Sequence, residues 1–130
     1  MNQVVGSSAA PYINNTLVPQ CGRATQMFGA THWSAANYLA ITAGQYPAGS
    51  PVGCGSVSAC RSSTDNLFHQ MEAPGLSWRA YEESMPSACS TSSQGLYSLG
   101  HNPPPFYSDL TDCATYDLPV ADLTAKSGPL

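Results

Sequence analysis

Charge is what this sequence has least of. Only 9% of its 130 residues are charged, against roughly a quarter in ordinary soluble domains. Lys126 is the sole lysine, and with Arg23, Arg61 and Arg79 the basic residues number four, for a net charge of −4. So few cations argue against nucleic-acid binding, since recognition of a phosphate backbone needs a cationic surface. No apolar run approaches the roughly 18 residues of a membrane-crossing helix. Cys-x-x-Cys pairs are missing and the histidines do not cluster with the five cysteines, so zinc-finger and thioredoxin-like readings fail. A Gly-x-Ser-x-Gly elbow is absent too, and no aspartate lies near His32, which leaves no serine-hydrolase triad to read.

What is present is a 42% apolar share, enough to build a core, set in short runs separated by Gly, Pro and Ser. One domain with much loop follows. Five cysteines in so short a chain suit an exported, disulfide-bearing protein, secreted or periplasmic. Cys54 and Cys60 flank Gly-Ser-Val-Ser-Ala, a loop short enough for one bridge to close. Cys89 with Cys113 is the next pairing by elimination. Cys21 is then left over, either a buried thiol or one whose partner lies outside the chain.

The most informative stretch runs from Gly29 to Gly49. A hydroxyl-rich loop leads into the apolar run Ala35 to Ala43, broken only by Asn37 and Thr42. Good helix formers predict two to three turns here, with Gly44 as the stop and Pro47 preventing resumption. Ser34 falls at the helix N-terminus, where unpaired backbone N–H groups and the helix dipole favour an anion such as phosphate. On residue chemistry alone, Ser34 reads as an N-cap, Asn37 as a solvent-facing side chain of the first turn and His32 as a loop histidine.

Elsewhere the local signals are plainer. Ser8 is expected to cap a helix from Ala9 to about Val18, and Asn14-Asn15-Thr16 is a glycosylation sequon, relevant in a eukaryotic source. Arg23 to Phe28 and Leu76 to Tyr81 read as strands, and Gln45 to Cys60 as loop. Ser62 is expected to cap a helix with Asp65 at its third position and with Leu67, Phe68 and Met71 on the buried face. His69 should face water or a neighbouring loop. Trp78 and Tyr81 read as core or edge aromatics, and the adjacent Glu82 and Glu83 point in different directions, so they form no acid/base pair. Cys89 to Gly100 reads as surface loop. His101-Asn-Pro-Pro-Pro-Phe-Tyr107 is stiffened by its prolines, Ser108 to Cys113 forms one helical turn, and Asp117 to Leu130 is a connecting tail.

Thr31-His-Trp-Ser-Ala-Ala-Asn-Tyr-Leu-Ala-Ile-Thr-Ala-Gly44 resembles the segment written T-H-P-S-x-P-N-Y-L-A-L-T-S-G in secreted phosphoesterases of the alkaline phosphatase superfamily, the branch of bacterial acid phosphatases and phospholipase C-like enzymes. The resemblance continues in order through Ala10-Pro-Tyr-Ile-Asn14, Ser77-Trp-Arg-Ala-Tyr-Glu-Glu-Ser-Met-Pro86 and His101-Asn-Pro103. It implies an α/β fold, a partial alkaline-phosphatase-like domain with a mainly parallel sheet and long disulfide-bearing loops. It also implies hydrolysis of a phosphate ester or phospholipid through a phosphoserine intermediate. By position, Ser34 matches the nucleophile and a metal ligand, and Asn37 the amide that donates to a phosphate oxygen. His101 stands at a catalytic position, and His32 and Asn102 line the substrate pocket.

Trp33 and Ala36 replace the family's prolines beside the nucleophile, which removes some backbone pre-organisation. The family's Glu-Asn-His signature would fall just before Met1 and its aspartate-rich motif beyond Leu130. The resemblance therefore implies an internal fragment of a larger enzyme whose divalent metal takes most of its ligands elsewhere, so that the fragment alone is inactive. The competing class is a non-catalytic, disulfide-stabilised secreted module for binding or cell-surface display, in which Ser34 is a cap.

Overall fold

A computed structural model describes residues 4–46 and 54–125. Helical segments dominate. A π-helical turn, Ile13–Leu17, runs into α1 (Val18–Cys21). Then come α2 (Ser34–Ala43), α3 (Val57–Cys60) and α4 (Leu67–Glu72), followed by strand β1 (Ala80–Glu82). Two 3₁₀ turns, Leu99–His101 and Pro104–Phe106, precede α5 (Cys113–Tyr116), β2 (Asp117–Pro119) and α6 (Ala121–Ala125). The result is a mixed α/β fold with a small parallel sheet and disulfide-linked loops. That sheet is one parallel pair, with Ala80 opposite Asp117, Tyr81 opposite Leu118 and Glu82 opposite Pro119.

Helix α2 takes the predicted form. Trp33 precedes it with extended backbone, and Gly44 ends it at φ 64°, the left-handed conformation glycine reaches without steric cost. Ala35, Ala36 and Leu39 are buried, whereas Tyr38 and Ile41 remain exposed on the opposite flank. The proline-rich segment 99–107 lies along the buried side. Gly100 sits over Ala35, the His101 ring is 5.7 Å from that of Tyr38, and the Tyr107 hydroxyl meets Thr42 Oγ1 at 2.6 Å and donates to Leu39 O at 3.2 Å. Leu39 and Phe106, both fully buried, anchor a core completed by Trp78, Tyr97, Leu99, Tyr107 and Leu110. Phe68, Trp78 and Tyr116 stack beside it at tilted angles, and the Arg79 guanidinium covers the Tyr116 ring at 4.7 Å.

Both bridges form, Cys54–Cys60 and Cys89–Cys113, each with Cα atoms 5.6 Å apart. Cys21 is a free, exposed thiol and not a buried one.

Several local expectations are corrected. Arg23 to Phe28 is not a strand. None of the described residues pairs with it, and Met27 and Phe28 are 79% and 85% exposed. Only Ala80–Glu82 pairs where the Leu76–Tyr81 strand is expected, because β2 offers just three residues. The first helix runs past Val18 to Cys21. Its ladder shifts to Val18 N–H→Ile13 O ahead of Pro19, which has no N–H to give. Its start is organised by Asn14 and not by Ser8. Asn14 Oδ1 accepts from Gly6 N at 2.7 Å, and Nδ2 donates to Val4, Ser7 and Ala10 carbonyls. The sequon amide is thus fully engaged inside the fold.

Ser62 does not cap α4. Asn66 does, accepting from His69 N at 3.1 Å while its Nδ2 bonds both oxygens of Asp109. Ser62 is instead buried and pairs with Tyr107, its N–H reaching Phe106 O and its carbonyl accepting from Ser108 N. Leu67 is 52% exposed, while Phe68 and Met71 do pack on the core. Residues 57–60 of the expected Gln45–Cys60 loop form α3, and residues 47–53, with the Pro47 stop, lie outside the described residues. The helical turn expected over Ser108–Cys113 begins only at Cys113. The expected tail is strand and helix as far as Ala125, and residues 126–130 lie outside the described residues.

Half-exposed His69 bonds Asp65 Oδ1 through Nδ1 at 3.0 Å, with Asp109 Oδ2 at 3.7 Å. The Asp65 hydrogen bond holds the imidazole pKa above its ordinary 6.5, and the same contact lowers that of Asp65. A raised histidine pKa stabilises the fold fully below pH 6.5, and the contribution disappears as pH rises through the folded value. Proton NMR titration should therefore place the His69 midpoint above 6.5 and return it toward that value in Asp65→Asn.

Candidate active site

Ser34 is the first helical residue of α2, not the cap. The cap position belongs to Trp33, whose side chain makes no capping bond. The Ser34 side chain is exposed and its hydroxyl has no partner among the described residues. The N–H groups of Ser34, Ala35 and Ala36 precede the first closed bond of the helix, Asn37 N–H→Trp33 O at 3.3 Å. A free hydroxyl thus stands beside the positive end of a ten-residue helix.

Asn37 shapes the loop in front of that helix. Its Nδ2 donates to Thr31 O at 2.7 Å and Trp33 O at 2.9 Å, and its Oδ1 accepts from Thr31 N at 3.3 Å. Both amide hydrogens are therefore taken by backbone carbonyls. The brace also explains Gly29, where a Cβ would sit 3.0 Å from Asn37 Oδ1 and 3.1 Å from Thr31 O. The Thr31 hydroxyl accepts from Trp33 N, and His32 is exposed in the same loop.

The structure brings the His101 loop to this helix end. A Cβ on Gly100 would lie 4.0 Å from Ala35 N, and exposed His101 rests against Tyr38, one turn beyond Ser34. Asn102, expected beside substrate, is fully buried beneath that loop. Its Nδ2 donates to Asp117 Oδ2 at 2.8 Å and to Tyr97 Oη at 3.1 Å, and Tyr97 in turn donates to Ser90 O. Asp117 is the residue that reading the chain as a tail missed. It is fully buried at the start of β2, and its Oδ1, like Asn102 Oδ1, makes no hydrogen bond among the described residues. The alternation Asp117-Leu118-Pro119 is too short to announce a strand by pattern.

Desolvation moves the Asp117 carboxyl from its ordinary 3.8 to about 6, the Asn102 bond opposing and the negative charge of Glu82 adding to the rise. Burial also raises Glu82. A carboxyl raised on folding destabilises the protein above its folded pKa, and the penalty fades as pH falls from about 6 toward 3.8. Replacing the buried charge by an amide, Asp117→Asn, should raise stability at about pH 8 by up to about 3 kcal/mol. The gain should vanish near about pH 4 in urea titrations at the two pH values.

Among the described residues, the one group of three metal-ligating side chains is Cys89, Cys113 and Asp117, with ligand atoms all within 4.8 Å of one another. Their sulfurs are joined in a disulfide, so as the chain stands the carboxylate is the only ionisable donor of the three. The group includes neither Ser34 nor His101. The described residues therefore do not assemble, around Ser34, the donor set of the expected divalent ion. A cavity of about 270 Å³, lined by Arg61, Thr91, Pro104 and Cys113 among others, also excludes Ser34 and His101. No helix among the described residues is long and apolar enough to cross a membrane.

Comparison of the chain with protein-family models, curated proteins and solved structures gives no match.

Proposed function

We propose that this chain carries the nucleophile of a phosphate-ester hydrolase of the alkaline phosphatase superfamily. The observation that carries the reading is an unbonded, exposed Ser34 hydroxyl at the first position of α2, in a segment that resembles the phosphoesterase nucleophile motif. Ser34 Oγ attacks phosphorus in line and gives its proton to solvent water as the new P–O bond forms. The ester oxygen departs with the bonding electron pair, and water then cleaves the phosphoserine. Ser34 lies at the positive end of α2, and a dipole of that sign favours the negative charge gathered on the non-bridging oxygens. His101 stands on the loop that packs over Ala35 and lies beside Tyr38; in this reading it exchanges a proton with the leaving oxygen. Asn37 serves by holding the Thr31–Trp33 loop, not by donating to phosphate. The divalent ion that the resemblance implies would find its ligands other than Ser34 outside these 130 residues, in a secreted or periplasmic enzyme acting on a phosphate monoester, diester or phospholipid.

The test is direct. Aryl phosphate is added with divalent ions to the full-length parent enzyme that this reading implies, the reaction is quenched in acid, and the peptides are mapped by mass spectrometry. Phosphate on Ser34 is the expected result. Label on another residue would overturn the assignment.

The second reading is a non-catalytic, disulfide-stabilised module. The fully occupied Asn37 amide favours it, together with the lack of a carboxylate–histidine group around Ser34 among the described residues. Absence of any label in the full-length protein, with divalent ions present and the fold intact, would favour the module.

A further inference from the structure

We propose that Asp117 is a positioning residue: through Asn102 it sets where His101 stands against the N-terminal half of α2. The inference reaches catalysis only if the hydrolase reading holds; its structural content stands without it.

The chain of contacts is continuous. Asp117 is fixed from three sides. It opens β2 opposite Ala80, its carbonyl accepts from Cys89 N at 2.9 Å, and α5 before it is bound through Cys113 to Cys89. From this anchor its Oδ2 accepts from Asn102 Nδ2 at 2.8 Å. Asn102 closes the 3₁₀ turn above it, its backbone N–H donating to Leu99 O at 3.1 Å. That turn contains Gly100, which rests over Ala35, and His101, which rests on Tyr38. Among the described residues, nothing else polar holds the Asn102 side chain except Tyr97 Oη and the weak acceptor Met85 Sδ at 3.6 Å. Moving the carboxylate therefore moves the floor under His101.

The two unbonded oxygens, Asn102 Oδ1 and Asp117 Oδ1, sharpen the point. Both are acceptors in a sealed interior, where an unpaired polar atom is costly. A proton on Asp117 Oδ1 would turn one of these two acceptors into a donor. An amide at position 117 would supply a donor of the same reach. The carboxyl can thus be replaced by its isostere without moving Asn102, but not by a side chain that lacks the acceptor.

The experiment is NMR on the 130-residue chain, reading the His101 ring protons, which sense the Tyr38 ring, and the Gly100 amide, which lies beside Ala35. His69, held by Asp65 on α4 and its approach, is the internal control. Asp117→Ala should shift the His101 and Gly100 signals while His69 stays in place, and Asp117→Asn should leave all three near their native positions. Should Asp117→Ala not fold, the exchange variants decide. Asn102→Asp puts two acids together and should displace the loop, whereas Asn102→Asp with Asp117→Asn restores one amide and one acid and should return the His101 signals. Native His101 and Gly100 signals in Asp117→Ala, or no recovery in the double exchange, would overturn the inference. Turnover of an aryl phosphate by the full-length parent enzyme, with divalent ions, is the separate arm. Loss in Asp117→Ala with recovery in Asp117→Asn supports positioning in catalysis. Labelling of a residue other than Ser34 instead counts against the hydrolase reading and leaves the positioning of His101, as read by NMR, untouched.

Discussion

In the full-length parent enzyme that the hydrolase reading implies, Ser34→Ala should abolish turnover of an aryl phosphate while leaving the fold almost unchanged. The two effects separate because Ser34 is not the N-cap. Capping serines cost about 0.5–2 kcal/mol when replaced by alanine, but the cap here is Trp33 and the Ser34 hydroxyl bonds nothing among the described residues. Alanine is also a better helix former than serine, so urea denaturation should show a change within about 0.5 kcal/mol. Loss of a covalent nucleophile, by contrast, removes the whole two-step path, a fall of about 10⁶ in a comparable serine enzyme. The measurement is kcat with divalent ions present, alongside the urea midpoint. Retained activity in a folded Ser34→Ala protein would end the phosphoserine mechanism.

Removing the Cys89–Cys113 bridge should produce the largest loss of stability. The bridge closes a loop over a sequence separation of 24, whereas Cys54–Cys60 spans 6. Loop-closure entropy assigns about 3.5 kcal/mol to the longer loop and about 2.4 kcal/mol to the shorter. The longer one also ties α5 and the start of β2 to the segment after β1, on which Asp117 and thus the Asn102 contact depend. Paired serine replacements, Cys89→Ser with Cys113→Ser and Cys54→Ser with Cys60→Ser, should lower the denaturation midpoint in that order. The ranking would be wrong if the shorter bridge proved the costlier to remove. Reduction of the native protein opens both bridges and should lower the midpoint further than either pair of replacements.

Helix α2 was legible in the sequence because its determinants are local. An apolar run of helix formers closes bonds between residues four apart, and Gly44 can take the left-handed backbone that ends them. The Cys54–Cys60 bridge was legible for the same reason, since few conformations separate two cysteines across so short a loop. Even here the exact cap was not, because whether Ser34 or Trp33 flanks the helix turns on one pair of backbone angles. Arg23 to Phe28 shows the limit of local pattern. Its residues suit a strand, but a strand exists only with a partner, and none of the described residues pairs with it. Asp117 shows the converse. Nothing near it in sequence marks it as buried; its role comes from pairing with Ala80 and from Asn102, 15 residues away. Asn66 caps α4 in place of the expected Ser62, and Asp109, 43 residues on, takes its amide. The sequence by itself determined the chemistry available at Ser34, His101 and Asn102 and the helix that carries the first. Tertiary structure decided which of those side chains face solvent, because burial follows from contacts between distant segments: it turned Asn37 onto its own loop, sank Asn102 onto Asp117 and left Ser34 exposed.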